Sequence, residues 1–183
     1  NCAPPFTGVA VFASDQAAGL LAYDVSGTPK LVSCQSTPLR INAIAVSGTL
    51  AVGVGTRNTP GTVPGGATTT VNFFGVWDVS YPPMPKLLGS IEGGSLTYSG
   101  VDIAGSWACV AVGTSGLRTI NLANAAAPVI TGSLDTPGFA ANVNVSGTRA
   151  YVSDSSAGLA IVNITIPSSP ALLGSIDTPG TAK

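Results

Sequence analysis

Residues Gly147 to Gly180 read GTRAYVSDSSAGLAIVNITIPSSPALLGSIDTPG, and the reading of this stretch decides the fold. β-Branched, aromatic and aliphatic residues cluster over Arg149–Ser153, Leu159–Ile164 and Ala171–Ile176, the composition of short strands. Gly158 ends the turn between the first two. A linker bounded by Pro167 and Pro170 leads to the third, and Thr178-Pro179-Gly180 closes the unit.

The rest of the chain reads as further copies of this unit. Glycines at matching turns, Gly8, Gly48, Gly105 and Gly147, are separated by 40, 57 and 42 residues. In the first copy Asp15, Gly19-Leu20 and Asp24 stand at the phases of Asp154, Gly158-Leu159 and Asn163, and Thr37-Pro38 matches Thr178-Pro179. The third copy repeats Gly-Leu at Gly116-Leu117, and its Asp135-Thr136-Pro137-Gly138 returns as Asp177-Thr178-Pro179-Gly180. Ala123–Ala127 has helix propensity, but its phase makes it linker. The second copy accounts for the long spacing. RNTPGTVPGGATTT, Arg57 to Thr70, has no periodicity and is expected to be a loop inserted into the repeat.

One more apolar segment precedes each later turn: Ile41–Val46, Val101–Ile103 and Ala141–Val145. Each runs through a Gly-containing turn into the next strand, the signature of a hairpin. In the first copy Asn1–Thr7 takes that place, but Pro4-Pro5 removes ladder donors, so a strand there is expected to be degenerate or absent. The result is about four strands per unit of about 42 residues. Near-continuous apolar runs such as Ala160-Ile161-Val162 suit sheets covered on both faces.

The expected fold is therefore all-β, a β-propeller or partial propeller of about four four-stranded antiparallel blades. Residues 1–183 form a single repeat domain with approximate repeats 1–38, 39–95, 96–138 and 139–183, the second carrying the inserted loop 57–70. A parallel β-helix would need shorter rungs, and the hairpin turns count against it. Because the ends fall on repeat boundaries without capping features, the chain is expected to be part of a larger propeller.

The pattern Gly-x-x-Ala-Tyr-Val-x-Asp-x-x-x-Gly-Leu-x-Ile-Val-Asn-Ile-x-x-Pro-x-x-Pro-x-Leu-Leu-Gly-Ser, as in Gly147–Ser175, closely resembles the LVIVD repeat. That family occurs in bacterial and archaeal surface and secreted proteins. The resemblance implies a β-propeller and carries no catalytic motif, so no functional residue is transferred from it.

Composition narrows the function. Charged residues make up 8% of the chain and the net charge is −1, so there is no basic footprint for nucleic acid. No apolar run is long enough to span a bilayer. Histidine is absent, which removes Ser-His-Asp, Cys-His and His-metal machinery from this chain. Sparse charge and a Ser/Thr/Ala/Gly-rich surface lean towards export, where Cys2 and Cys34 would be a candidate disulfide. Cys109 stands at the phase of Tyr151 and is expected to be a buried small hydrophobe.

The remaining candidates are weighed against scaffold roles. Most acids recur at repeat positions, where a carboxylate usually caps a turn by accepting from backbone amides. Asp102 and Asn144 share an inner-strand phase and are candidate lining for a central channel. Trp77, Trp107, Tyr23 and Tyr151 fall in strands, where packing is the default; a sugar platform would need them exposed on one rim. Pro64–Gly66 lacks the Lys-Ser/Thr of a phosphate loop. Two glycan sequons, at Asn144 and Asn163, coincide with repeat positions.

What the repeat does not need is the insertion, so Arg57, Asn58, Thr59 and Pro60 are the candidate interaction residues. The expectation is a non-enzymatic secreted or cell-surface module for protein contact or self-assembly, without cofactor or metal. A metal-assisted hydrolase with its site in the channel and a carbohydrate-binding module are the alternatives.

Overall fold

The computed structural model describes residues 6–15, 19–33, 39–59, 69–92, 94 and 96–183. Among these residues fifteen strands form four antiparallel sheets in chain order. The first holds β1 (Ala10–Asp15), β2 (Gly19–Asp24) and β3 (Lys30–Leu31). The second holds β4 (Leu39–Ser47), β5 (Leu50–Thr59), β6 (Thr69–Asp78) and β7 (Lys86–Glu92). The third is β8 (Gly100–Ala104), β9 (Trp107–Ala111), β10 (Leu117–Asn121) and β11 (Val129–Leu134). The fourth is β12 (Asn142–Ser146), β13 (Arg149–Ser153), β14 (Leu159–Asn163) and β15 (Ala171–Ile176).

Every sheet is a meander whose neighbours in sequence are neighbours in space, and among the described residues the sheets do not join into a closed ring. Among the described residues the first sheet has three strands; the expectation of a degenerate strand at Asn1–Thr7 falls largely outside them. The segment Ala123–Ala127 is a turn, with Ala127 N–H donating to Asn124 O at 3.0 Å.

The hairpins follow from the phase glycines. Ser47 pairs with Leu50, Ala104 with Trp107, and Ser146 with Arg149, which leaves two residues in each turn. The first of the two is Gly48, Gly105 or Gly147, with φ of 59°, 63° and 59°. A glycine at positive φ followed by a residue at negative φ is the type II′ arrangement, whose twist matches antiparallel strands.

Three apolar cores lie between the four sheets. Leu20 of the first sheet meets Ile41, Phe73 and Trp77 of the second. Val52, Val54 and Phe74 of the second meet Val101, Val110 and Ile120 of the third. Cys109, Ala111 and Leu117 of the third meet Val143, Val152 and Val162 of the fourth. The period-2 alternation of β9 explains the double coverage: Ala108 and Val110 face one neighbour, Cys109 and Ala111 the other. Each fully buried Val, Leu, Ile or Phe contributes about 1.5–3 kcal/mol of transfer free energy. A blade of about 42 residues therefore has most of its core in its neighbours.

The outer strands share an irregularity. Register shifts at Val76/Trp77, Thr119/Ile120 and Ile161/Val162 leave Leu88, Thr131 and Leu173 unpaired in β7, β11 and β15. Each bulge residue precedes a glycine: Gly89, Gly132 or Gly174. A bulge bends the strand and increases its twist. Here it opens the backbone to the linker of the following sheet.

One expectation is corrected. The insertion does not begin at Arg57 or end at Thr70, because β5 runs to Thr59 and β6 starts at Thr69. Arg57 pairs with Val71, Asn58 with Thr70, and Thr59 with Thr69. The run Thr69-Thr70-Val71 has high β propensity, and pairing it with Arg57–Thr59 extends an existing ladder. Pro60 lies outside the described residues, as do Cys2, Cys34 and most of the inserted segment.

Candidate functional site

The inserted hairpin, the inner-strand polar groups and the clefts between sheets are the places where chemistry or recognition would be sited. At the hairpin, Arg57 is half-buried and its guanidinium pairs with the Glu92 carboxylate at the end of β7. Thr70 Oγ1 donates to Asn58 Oδ1 at 3.0 Å. These bonds stiffen a hairpin longer than any other among the described residues, with β5 and β6 of ten residues each. The structure thus brings Arg57 and Asn58 to one projecting ladder and ties both to neighbours within the sheet.

Several carboxylates are engaged in scaffold bonds. Asp24 Oδ1 accepts from Ser26 N–H at 2.9 Å and from the Ser26 hydroxyl at 2.6 Å. Asp78 accepts from Ser80 N–H at 2.8 Å. At the same phase Asn121 accepts from Ala123 N–H and Asn163 from Thr165 N–H, at 2.8 and 2.9 Å. One Asx turn thus starts each linker, and the sequon at Asn163 is one of them. The Ser26 hydroxyl and then its amide hold the Asp24 carboxyl below its ordinary range, and Ser80 does the same for Asp78.

Two acids act between sheets. Asp154, fully buried, accepts from the Thr136 hydroxyl at 2.7 Å and from Gly138 N–H at 2.8 Å. It thereby fastens the turn after β11 to the β13–β14 turn of the next sheet. Asp102 accepts from its neighbour Ile103 N–H at 2.8 Å and, across the sheet boundary, from Val145 N–H at 2.6 Å. Its two oxygens are therefore committed to two backbone amides, while Asn144, at the same phase, is exposed. Among the described residues no three His, Cys, Asp or Glu side chains converge as a metal site would require.

The aromatic candidates separate. Trp77 is buried against Phe73, ring centroids 5.9 Å apart at 58°, so it cannot serve as an exposed sugar platform. Packing between the first two sheets is the physical reason. Trp107 is half-buried and lines a cleft of about 440 Å³ between the third and fourth sheets, with Cys109, Val145 and Ile164. A cleft of about 670 Å³ between the first two sheets is bounded by Val46, Gly48, Val79, Ser80 and Pro82. These stand at the phases of Val145, Gly147, Ile164, Thr165 and Pro167, which line the other cleft. Recurrence at the same phase marks the clefts as products of the repeat.

Cys109 is buried, as its phase implied, and its thiol is pushed up to about 12 by burial, with the nearby Asp102 charge adding to the effect. A thiol held protonated in this way is neither a nucleophile nor a ligand at neutral pH. What the sequence reading missed is the glycine at each outer-strand bulge. A Cβ on Gly89 would lie 2.6 Å from Ala125 O of the next linker. One on Gly132 would collide with Pro167 O and lie 2.9 Å from Pro170 Cδ. The signal was present in the recurring Leu-Leu-Gly-Ser and Ile-Thr-Gly-Ser, but the linker that fills each site comes from another repeat.

Successive antiparallel sheets, cored against one another and clamped turn to turn, define a β-propeller repeat architecture. The chain carries two LVIVD repeats: the LVIVD repeat model matches residues 98–136 and 137–178, the third and fourth sheets. Among solved structures it is similar to the computationally designed Ika8 protein, with a TM-score of 0.65 at 14% identity. That match covers 97% of this chain and 49% of the other. It is also similar to the WD40 repeats of RRP9, with a TM-score of 0.61 at 14% identity, over 92% of this chain and 49% of that one. The chain spans about half the length of each, and at such identity the likeness bears on fold alone. No curated protein matches the chain significantly.

Proposed function

We propose that the chain is a non-enzymatic β-propeller module, secreted or on the surface of a bacterial or archaeal cell, that works through protein contact or structural assembly. The observation that carries this reading is the fate of the carboxylates. Asp24, Asp78, Asp102 and Asp154 accept from backbone amides or from hydroxyls at turns and sheet boundaries. A histidine-free chain with these four acids so engaged offers little for acid–base work at those positions. The projecting β5–β6 hairpin, with Arg57, Asn58, Thr59 and the adjoining Pro60, is the contact element of this reading. It departs from the repeat, and its ladder is braced by Glu92.

The test is a binding comparison. The immobilised chain is exposed to the cell-surface proteins of its source organism, and retained proteins are identified by mass spectrometry. A second chain, with Thr56 joined to Asn72 through an Asn-Gly turn, is treated identically. A protein held by the first and lost by the second supports the hairpin as contact element. Equal retention by both removes the hairpin, and turnover of ester or glycoside substrates by the purified chain would overturn the non-enzymatic reading.

A further inference from the structure

One polar position recurs at the start of every linker: Asp24, Asp78, Asn121 and Asn163. Each accepts from the amide two residues on, that of Ser26, Ser80, Ala123 or Thr165, at 2.8–2.9 Å. Only in the fourth sheet does an asparagine hold the first place and a hydroxyl the second, with Ile164 between them. Asparagine, any residue but proline, then serine or threonine is the acceptor pattern for an N-linked sugar. Such triplets also arise by chance, so presentation has to decide between the two in this chain.

Asn144-Val145-Ser146 lies within β12, where Asn144 pairs with Tyr151 in the ladder. It shares its phase with Asp102, whose carboxylate reaches across the sheet boundary to Val145 N–H. A sugar at that phase would stand where one sheet packs on the next. Asn163 is placed differently, as the last residue of β14 where the chain turns into the linker. Its Oδ1 accepts from the Thr165 amide and, at 2.7 Å, from the Thr165 hydroxyl. Both bonds use the oxygen. Among the described residues Nδ2 donates no hydrogen bond, and it is not closed off from solvent. Thr165 is exposed, and Ile166 beside it is 62% exposed. Asn163 is half-buried, as Asp78 and Asn121 are in sheets with a neighbour on both sides. Its accessibility therefore belongs to the repeat and not to its place in the chain.

We propose that Asn163 is a site of N-linked glycosylation. Nδ2 forms a bond to C1 of a reducing-end sugar carried on a lipid pyrophosphate. The bond from C1 to the phosphate oxygen breaks, the lipid pyrophosphate leaves, and the displaced amide proton passes to a base of the transferase. The sugar stands beside Ile166, where the linker leaves an apolar side chain in water. A glycan there is bulky and solubilising, and the surface turn has room for it. The inference rests on the secreted or cell-surface location proposed above, because N-linked sugars belong to exported chains.

Two substitutions separate the sugar from the scaffold, and the other repeats show that the turn tolerates both. Asn163→Asp puts aspartate where Asp24 and Asp78 make the same turn. Thr165→Ala puts alanine where Ala123 donates to Asn121. The 183-residue chain is directed into a eukaryotic secretory pathway, recovered and digested with trypsin. Cleavage after Arg118 and Arg149 leaves Asn144 and Asn163 on separate peptides, 119–149 and 150–183. Mass spectrometry is expected to find a sugar on 150–183 that peptide N-glycosidase releases, with aspartate left at position 163. Both variants are expected to lose that sugar and to keep the circular dichroism spectrum of the enzymatically deglycosylated wild type. A wild-type chain with Asn163 bare, an N-glycosidase-sensitive sugar on 150–183 that survives either substitution, or sugar on Asn144 alone would overturn the proposal. Should a variant fail to fold, the conversion of Asn163 to aspartate in the wild type assigns the site unaided, and its absence counts against it. The same peptide from the source organism tells the two readings apart. Chain found outside the cell membrane with Asn163 bare removes the glycan alone, whereas chain confined to the cytosol removes the location and the glycan with it.

Discussion

Thr136 and Asp154, eighteen residues apart, share a hydrogen bond of 2.7 Å in which the hydroxyl donates to a fully buried carboxylate. The bond joins two sheets rather than two turns of one sheet. Asp154→Ala would leave the Thr136 hydroxyl and the Gly138 amide without their acceptor. The expected cost is about 3 kcal/mol, and Asp154→Asn should cost less because it keeps an acceptor oxygen. Urea denaturation measures both; a shift below about 0.5 kcal/mol for the alanine variant would show that the clamp adds little.

Gly132→Ala places a methyl against Pro167 O and 2.5 Å from Thr119 Oγ1. Neither residue can withdraw without opening the third boundary, so about 1–3 kcal/mol should be lost. Gly174→Ala makes the same chemical change where nothing lies within 4 Å, and it should leave the stability of the chain within about 0.5 kcal/mol. Equal losses in thermal denaturation would mean that strand bulges, not linker packing, require the glycine.

Trp77→Ala removes the largest fully buried side chain from the boundary of the first two sheets. A loss of about 3–5 kcal/mol is expected. In the wild type, tryptophan fluorescence should shift to the red in two parts on unfolding, the blue component belonging to Trp77 and the more solvated one to Trp107.

Cys109 has its thiol raised from 9.0 to about 12, chiefly by burial. The native state binds this proton more tightly than the unfolded one, so the stabilisation is complete below pH 9 and lost as pH rises towards about 12. At pH 8 an aromatic disulfide reagent should leave Cys109 unmodified in the native chain and react in urea. Rapid native-state reaction, followed by mass spectrometry of the Cys109 peptide, would contradict the burial.

Ser26→Ala removes the hydroxyl that does most to lower the Asp24 carboxyl. Its pKa should rise towards 3.8, observable by carboxyl-carbon NMR titration, with Asp78 unchanged. A group depressed in the folded state stabilises above its unfolded pKa, and the contribution disappears as pH falls through the folded value.

The order of strands in this protein was legible from local chemistry. Arg149–Ser153 and Ala171–Ile176 are strands with the bounds that composition suggested, because glycine and proline mark both ends of each. The phase of Asp24 and Asn163 likewise fixed their role, since an Asx turn needs only residues two apart. Arg57 and Thr70 were misplaced into a loop, because a polar Thr-rich run becomes strand only when a partner ladder is there to extend. Local periodicity also could not separate Asp154 from Asp24. One acid caps its own turn and the other accepts from a preceding repeat, a distinction that exists only once the sheets are stacked.

Sequence alone, then, determined the repeat, its four sheets and the buried character of Cys109, because each depends on spacing within about 42 residues. Tertiary structure alone decided which faces are covered. Pro29 and Pro170 occupy one phase of one repeat, as do Gly174 and Gly132. Only the presence or absence of an adjoining sheet makes one of each pair exposed and the other buried.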